Sequence, residues 1–208
     1  MKILVAPQEF KGSISALSVA EAAETGVMRV FPEAEVVLCP VADGGDGTLE
    51  TLVEVSGGEV RTCSVQNPIG ETITAQWGAM GDGVTAVIEM ARTSGLALLS
   101  LDERDPLNSS TFGLGQAILE ALNQGFRKFI VGIGGSATND AGAGMAQALG
   151  ATLLNAEGKS IPFGGAALAD LRSIDISKMD TRIENSQFMV ACDVSNPLTG
   201  DEGASAVY

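Results

Sequence analysis

Histidine is absent from this 208-residue sequence. Its absence excludes the common Ser-His-Asp and Cys-His nucleophile arrangements and every His-ligated metal site. A general base in this protein must therefore be an Asp, Glu, Lys or Tyr side chain.

Cysteine and long apolar runs are also scarce. The three cysteines, Cys39, Cys63 and Cys192, are isolated and have no CxxC spacing. This odd, scattered set argues against a disulfide framework or a zinc site, and we expect small buried core residues. No apolar run reaches about 18 residues, so no transmembrane helix is expected. Residues 1–7 stop being apolar too soon for a signal peptide, which predicts a cytoplasmic protein.

Basic residues are few: 12 Lys and Arg stand against 26 Asp and Glu, for a net charge of −14. A nucleic-acid partner is therefore not expected, because such binding needs a basic surface. An anionic small-molecule substrate would need locally gathered cations or a metal ion. Hydrophobic residues make up 45% of the chain, which is typical of a packed globular protein.

The order of apolar segments predicts an α/β fold. The first part alternates strand, helix, strand and helix, at residues 2–6, 15–31, 35–41 and 46–56, and this order favours a parallel sheet. Three strands follow without helices between them, at residues 60–65, 72–77 and 84–90, which predicts an antiparallel or mixed section. The remaining predicted elements are helices at 109–123 and 139–149 and strands at 129–133, 151–155 and 188–193. The change of pattern predicts a domain boundary near residues 66–72.

The strongest candidate for a binding site is the Gly-rich run at residues 132–144, between an apolar strand and a predicted helix. Small residues let the backbone approach a phosphate, and a helix N-terminus supplies N–H donors. Nucleotide-binding candidates here are Gly132, Gly134, Gly135, Ser136, Thr138, Asn139 and Asp140. A tight turn without a ligand is the alternative. The run is not a Walker A loop, because no Gly-Lys-Ser/Thr follows it.

The same run also fits a dinucleotide fingerprint, G-x-G-x-x-A, through Gly132, Gly134 and Ala137. Glu157, just past the next predicted strand, stands where a ribose-binding acid would be expected. This pattern, weak when taken alone, leaves an NAD-dependent dehydrogenase as an alternative.

Acidic residues follow two other predicted strands. Asp43 and Asp46 lie in a Gly-rich segment after the second strand, and Asp193 follows the last strand. Each could hold Mg²⁺ or accept a proton from a substrate hydroxyl. The alternatives are a helix N-cap with turn glycines at the first site and an Asn-Pro turn at the second.

Cations stand near two strand ends. Lys11 and Ser13 open the first predicted helix, where Lys11 could neutralise a phosphate or carboxylate. Arg92 follows Glu89 at the end of another strand. The alternatives are an exposed lysine beside an N-cap serine and a solvated ion pair.

Together these segments resemble the bacterial glycerate kinase family. The matching runs are APQEFKGSISA at residues 6–16, VADGGDGT at 41–48, VIEMARTSGLALL at 87–99, GIGGSATNDAGAGMAQALG at 132–150 and VACDVSNPLTG at 190–200. Five long motifs in the same order are far more specific than a single Gly-rich loop.

The resemblance implies a Rossmann-like domain with an inserted second α/β domain and an active site in the cleft between them. Residues 1–66 would begin the first domain and residues 67–208 would form the second, incomplete relative to the family. The implied reaction moves the γ-phosphoryl group of ATP to D-glycerate, with Mg²⁺. Asp43 and Asp193 would be base and metal ligand, Asp46 a further metal ligand, Lys11 a catalytic cation, and Lys11, Ser13 and Arg92 the substrate-binding residues.

Two features limit this expectation. Gln8 and Glu9 replace an Asp-Ser pair of the family motif, which puts the role of that Asp in doubt. Family proteins continue well beyond residue 208, so we expect this chain alone to be inactive and to expose apolar surface. A non-catalytic nucleotide-binding module remains an alternative, and a homodimer is left open.

Overall fold

The computed structural model describes residues 1–10, 13–42, 44–45, 47–192 and 194–207. It confirms an α/β fold with parallel and mixed sheets. The strands are β1 Lys2–Val5, β2 Glu35–Leu38, β3 Glu59–Gln66, β4 Thr72–Ala79, β5 Thr85–Glu89, β6 Lys128–Gly132, β7 Thr152–Leu154, β8 Ser173–Asp175 and β9 Gln187–Ala191.

The α-helices are α1 Ala16–Val30, α2 Thr48–Ser56, α3 Met90–Ser94, α4 Phe112–Asn123, α5 Ala143–Ala148 and α6 Ala204–Val207. The local sequence explains α1 well. The Ser15 hydroxyl accepts the Ser18 N–H at 3.2 Å as an N-cap, and the helix ends two residues before Pro32. None of the helices in the described ranges is long and apolar enough to cross a membrane.

The first two strands form a small parallel sheet. Lys2 pairs with Glu35 and Val5 with Leu38, as the strand–helix–strand order predicts. The sheet stays thin, because no residue of β1 or β2 is fully buried. Leu4 is 64% exposed.

The main sheet has five strands in the order β3-β4-β5-β6-β9. The pairs β3–β4 and β4–β5 are antiparallel, whereas β5–β6 and β6–β9 are parallel, so the prediction of a mixed section is confirmed. Strand β3, which we placed in the first domain, pairs along its whole length with β4 of the second. The division at residues 66–72 stays a prediction.

Helices pack on both faces of this sheet. On one face α4 contributes Leu114 and Ile118 to a core that contains Trp77, Ile88 and Phe129. On the other face α2 packs Leu49 and Val53 against Val87 of β5. This second contact places the N-terminus of α2 beside the carboxyl end of β5.

Some local predictions were wrong. The helix expected at residues 139–149 begins only at Ala143, because residues before it form a hydrogen-bonded turn. The short elements α3 and β8 were not predicted. Cys39 and Cys192 are exposed rather than buried, and all three cysteines are free thiols. Burial and the charge of Glu120 raise the pKa of the half-buried Cys63 thiol to about 11.

Strand β9 lies at the edge of the main sheet and exposes apolar side chains. Phe188, Met189 and Val190 are 42%, 66% and 56% exposed. Consecutive residues of a strand point to opposite faces, so both faces are apolar here. This agrees with the expectation of exposed apolar surface.

Candidate active site

The carboxyl ends of the parallel strands β5, β6 and β9 meet at one edge of the main sheet. The register aligns Glu89 with Gly132 and Gly132 with Ala191, so the three following loops start side by side. Open α/β sheets place ligands at such an edge. Four of the five sequence segments singled out above join this edge through described contacts, and the fifth joins through one of those four.

The loop after β2 packs directly on this edge. The Gly134 N–H donates to the Gly44 carbonyl oxygen at 3.1 Å. A Cβ atom on Gly132 would lie 2.6 Å from that oxygen, and one on Gly134 would lie 2.8 Å from the Cα of Gly45. Gly44, at φ +90°, in turn lies against the carbonyl of Ala191. The glycines of the two loops are thus required by their mutual packing.

The segment after β1 joins through the loop after β2. The Val41 N–H donates to the Pro7 carbonyl at 3.0 Å. The carboxylate of Glu9 lies against Gly47, where a Cβ atom would overlap it. Glu9, one of the two residues that depart from the family motif, therefore lies at the N-terminus of α2.

The segment after β5 holds the Gly-rich loop from the other side. The Leu96 N–H donates to the Gly135 carbonyl, and the Ala137 N–H donates to the Ser94 carbonyl, both at 2.9 Å. Gly95 and Ser136 form the bridge between these two bonds. The loop from residue 132 to 137 is therefore fixed by neighbours on both sides.

Only part of the predicted phosphate cradle has donors to offer. The N–H groups of Gly134 and Ala137 are already bonded, and the Thr138 N–H donates to the Ser136 hydroxyl at 3.0 Å. In the described ranges, the N–H groups of the exposed residues Gly135 and Asn139 donate to no protein atom. The Ser136 hydroxyl donates to the Thr138 carbonyl at 3.3 Å. The N–H groups of Gly135 and Asn139 and the Thr138 hydroxyl are therefore the donors that we assign to a phosphate.

Asp140 belongs to the scaffold of the loop. It is 1% exposed, and its carboxylate accepts the Thr111 N–H and hydroxyl as well as the N–H groups of Gly142 and Gly144, at 2.9 to 3.1 Å. It thereby caps the start of α5 and ties it to α4. Direct contact with a nucleotide, as predicted, conflicts with this burial. The partner Thr111 was missed by the sequence, although a threonine before an apolar helical run is typical of an N-cap.

Arg92 is directed to protein acceptors instead of a substrate. Its Nε donates to Glu89 at 2.7 Å, and its two terminal nitrogens reach Gln76 and Glu50. The alternative interpretation, a solvated ion pair, does not hold either, because Glu89 is 1% exposed. Burial raises the pKa of the Glu89 carboxyl, although hydrogen bonds from Leu49 and Arg92 act in the opposite direction.

Several predicted site residues are not described. Lys11, Asp43, Asp46 and Asp193 lie outside the described ranges. Ser13 is exposed, and its N–H donates to the Phe10 carbonyl at 2.8 Å. Among the described residues no group of three or more acidic or cysteine side chains could hold a metal ion.

A contact that the sequence did not reveal joins the last segment to the Gly-rich loop. The Ser205 hydroxyl donates to the Asn139 side-chain oxygen at 2.9 Å. Further back, the Ala204 N–H donates to the Pro197 carbonyl at 2.9 Å. Residues 197–205 therefore fold back beside the Gly-rich loop at Asn139.

The topology contradicts the dehydrogenase alternative. A dinucleotide fingerprint needs the strand after the Gly-rich helix to lie in the same sheet as the first strand. Here that strand is β7, which pairs with β8 in a two-stranded antiparallel sheet separate from the main sheet. Glu157 lies in an exposed turn after β7, so it does not complete the pattern.

Comparison with known proteins identifies the family of this chain. The profile of the glycerate kinase family matches residues 3–208. Glycerate 2-kinase of Escherichia coli K12 is 51% identical over 208 residues, covering 100% of this chain and 55% of the relative. Glycerate kinase of Bacillus subtilis 168 is 53% identical over 208 residues, covering 100% of this chain and 54% of the relative.

A solved structure gives the same result. A crystal structure from Salmonella typhimurium LT2, provisionally assigned as a glycerate kinase 2, has a TM-score of 0.91 and 50% identity, and the match covers 100% of this chain and 56% of that one. The chain spans little more than half the length of these similar proteins. Its motifs, its fold and its relatives agree, and the chain belongs to the glycerate kinase family.

Proposed function

We propose that the whole protein transfers the γ-phosphoryl group of ATP to a hydroxyl of D-glycerate. The observation that carries this proposal is the packing of the loop after β2, which we call the Gly44 loop. It packs against Gly132, Gly134 and Ala191 in a chain of the glycerate kinase family. That packing brings segments distant in sequence to one edge of the sheet. The name of the Escherichia coli relative, glycerate 2-kinase, favours the 2-hydroxyl, and NMR of the product decides between positions.

The ATP phosphates would bind at the outward side of the Gly-rich loop. The N–H groups of Gly135 and Asn139 and the hydroxyl of Thr138 would supply uncharged donors there. Phosphoryl transfer asks a protein mainly to position reactants and stabilise charge, which rigid donors do well. The neighbours on both sides of residues 132–137 supply that rigidity.

The proton of the glycerate hydroxyl would pass to a carboxylate, since no histidine is present. Asp43 directly precedes Gly44, and Asp193 follows Ala191 by two residues. Because Gly44 and Ala191 are in contact and consecutive Cα atoms lie about 3.8 Å apart, we propose that both aspartates serve one site. Asp43 is the proposed base, and Asp193 with Asp46 would hold Mg²⁺. The ion, when bound, would neutralise charge on the phosphate oxygens.

The glycerate carboxylate needs a cation in a chain with a net charge of −14. Lys11 is the proposed partner, with Ser13 beside it. Arg92 is not included, because Glu89, Glu50 and Gln76 already engage its guanidinium. The proposal takes the substrate to be a small molecule in the cytoplasm and requires neither nucleic acid nor a membrane.

The test is glycerate-dependent ADP release by the whole purified protein. In Asp43→Asn, kcat should fall by roughly 10²–10⁴, the usual contribution of a positioned base, while MgATP binding changes little. The control is Asp102→Asn, an exposed aspartate in the short 3-10 helix Leu101–Glu103, which should keep wild-type kcat.

Two other results would overturn the proposal. A thermal shift with MgATP but no glycerate-dependent ADP release would indicate a binding module. If neither Asp43→Asn nor Asp193→Asn changed kcat, acid-base chemistry by these residues would be excluded. A loss confined to Mg²⁺ dependence in Asp43→Asn would exchange the roles of the two aspartates.

A further inference from the structure

Glu89 is a carboxylate in an otherwise uncharged strand at the centre of the main sheet. Every residue of β5 from Thr85 to Glu89 is buried, and Glu89 is 1% exposed. Burial of a carboxylate costs several kcal/mol unless hydrogen bonds and an opposite charge offset it. An apolar residue would fill this position at lower cost, so the contacts of Glu89 need an explanation.

One of those contacts reaches the helix that follows the Gly44 loop. The Leu49 N–H donates to Oε1 of Glu89 at 2.8 Å. Leu49 is the second residue of α2, where the first backbone N–H groups have no acceptor within the helix. The N-cap residue of α2 is Gly47, which has no side chain to supply one. Glu89 therefore caps α2 from a neighbouring strand.

The Gly44 loop is held at both ends by these bonds. At its far end, Gly44 accepts the Gly134 N–H, and its own N–H donates to the Thr48 hydroxyl at 3.0 Å. At its near end, the cap holds Leu49, which is buried against Val87. In the sequence, Asp46 lies between these two ends and Asp43 directly precedes Gly44.

The second contact of Glu89 sets its orientation. Nε of Arg92 donates to Oε2 at 2.7 Å, which leaves Oε1 for Leu49. Arg92 follows in α3, whose last residue, Ser94, accepts the Ala137 N–H of the Gly-rich loop. The carboxyl end of β5 thus holds two loops: the Gly44 loop through Glu89, and the Gly-rich loop through α3.

We propose that Glu89 is a positioning residue for phosphoryl transfer: its cap on α2 sets the position of the Gly44 loop against the Gly-rich loop. Glu89 itself touches neither ATP nor glycerate. The inference rests on the proposed function, since it assigns Glu89 a role in the reaction of that same site.

Substitutions in the whole protein separate this role from a purely structural ion pair. Glu89→Gln keeps an acceptor for the Leu49 N–H but removes the charge, whereas Glu89→Met has a similar size and no acceptor of comparable strength. Glu89→Met should lower kcat by about 10-fold to 100-fold, because small misplacements of reacting groups are this costly. KM for ATP and for glycerate should stay within about twofold. Glu89→Gln should restore kcat to within about threefold of wild type, because the cap is kept.

Hydrogen exchange gives a readout that does not need activity. Amides of residues 47–52 should exchange faster in Glu89→Met and at the wild-type rate in Glu89→Gln. Unchanged kcat or unchanged exchange in Glu89→Met would overturn the proposal, as would a kcat in Glu89→Gln as low as that of Glu89→Met. If Glu89→Met does not fold, Glu89→Gln is the deciding variant. A loss of kcat, or faster hydrogen exchange of residues 47–52, in Glu89→Gln would then overturn the proposal.

The two proposals fail in different ways. Absence of glycerate-dependent ADP release in the wild-type protein would overturn the proposed function, and with it a role of Glu89 in that reaction. The exchange rates would still decide whether Glu89 holds the N-terminus of α2.

Discussion

The centre of the main sheet and the β1–β2 pair are built from similar apolar strands but bury them very differently. Strand β5 has partners on both sides and helices on both faces, and all its residues are buried. Strands β1 and β2 pair with each other and pack against α1, and in the part of the chain that the structure describes none of their residues is fully buried. The comparison teaches that the centre of the main sheet forms a packed core, whereas the first pair does not.

Matched leucine substitutions test this difference most strongly. Leu114, 1% exposed, packs on the main sheet, and Leu4, 64% exposed, belongs to β1. Leu114→Ala should lower the free energy of unfolding by about 2–5 kcal/mol, because it leaves a cavity in a packed core. Leu4→Ala should change it by no more than about 0.5 kcal/mol. Urea unfolding of the 208-residue chain measures both, and equal losses would contradict the comparison.

The next largest effect is expected at the contact between Gly134 and the Gly44 loop, which joins the β1–β2 pair to the main sheet. Any side chain at Gly134 must push away the Gly44–Gly45 loop, which links β2 to the main sheet. Gly134→Val should therefore raise KM for ATP or lower kcat on the order of 10²-fold in the whole protein, without unfolding it.

Gly26→Ala is the control for the substitution at Gly134. Gly26 lies in α1 with open space around it, so an alanine should leave the kinetics unchanged and stabilise the helix by about 0.5–1 kcal/mol. Wild-type kinetics in Gly134→Val would mean that the contact between the loops has no part in catalysis.

The smallest effect is expected for the partly exposed ion pair between Asp180 and Arg182. Asp180 pairs with Arg182, whose Nη1 also donates to Asn123 of α4 at 2.9 Å. Hydrogen bonding to Arg182 lowers the pKa of Asp180 to about 2. Because the folded pKa lies below that of an unfolded aspartate, about 3.9, the pair stabilises the fold above about pH 4 and loses this effect as pH falls toward 2.

Asp180→Asn should therefore lower the free energy of unfolding by less than about 1 kcal/mol at pH 7, since the pair is partly exposed and screened by solvent. Urea unfolding of wild type and Asp180→Asn, from pH 7 down to pH 2, measures the difference. A difference that grew toward low pH would reverse the predicted sign.

Much of the fold could be predicted from the sequence because local patterns decide it. Apolar alternation located β3, β4 and β5, and the helix predicted at residues 15–31 matches α1 within one residue at each end. The helix after the Gly-rich run was predicted too early. Asp140, which forms the cap of α5, takes hydrogen bonds from Thr111, 29 residues away, and such a partner is invisible to a local pattern.

The candidate site could be located by motif but not explained by it. The sequence marked Gly132 and Gly134 for close approach to a phosphate, whereas the structure places the backbone of Gly44 and Gly45 at that distance. It marked Arg92 for substrate binding, with a solvated ion pair to Glu89 as the alternative, whereas Arg92 donates to protein acceptors and Glu89 is buried beneath α2. Residue types predict what a group can do, but the partner that it meets depends on contacts across 40 or more positions.

The sequence by itself determined the α/β class, the absence of a histidine base and the membership of the glycerate kinase family, because composition and ordered motifs are properties of the chain alone. Only the tertiary structure decided which backbone groups of the Gly-rich loop still have hydrogen bonds to offer. It also decided that Arg92 faces protein and that Glu89 caps α2. The physical reason is that hydrogen-bonding capacity and burial depend on which distant segments pack together, and close packing at the sheet edge leaves little choice of partner.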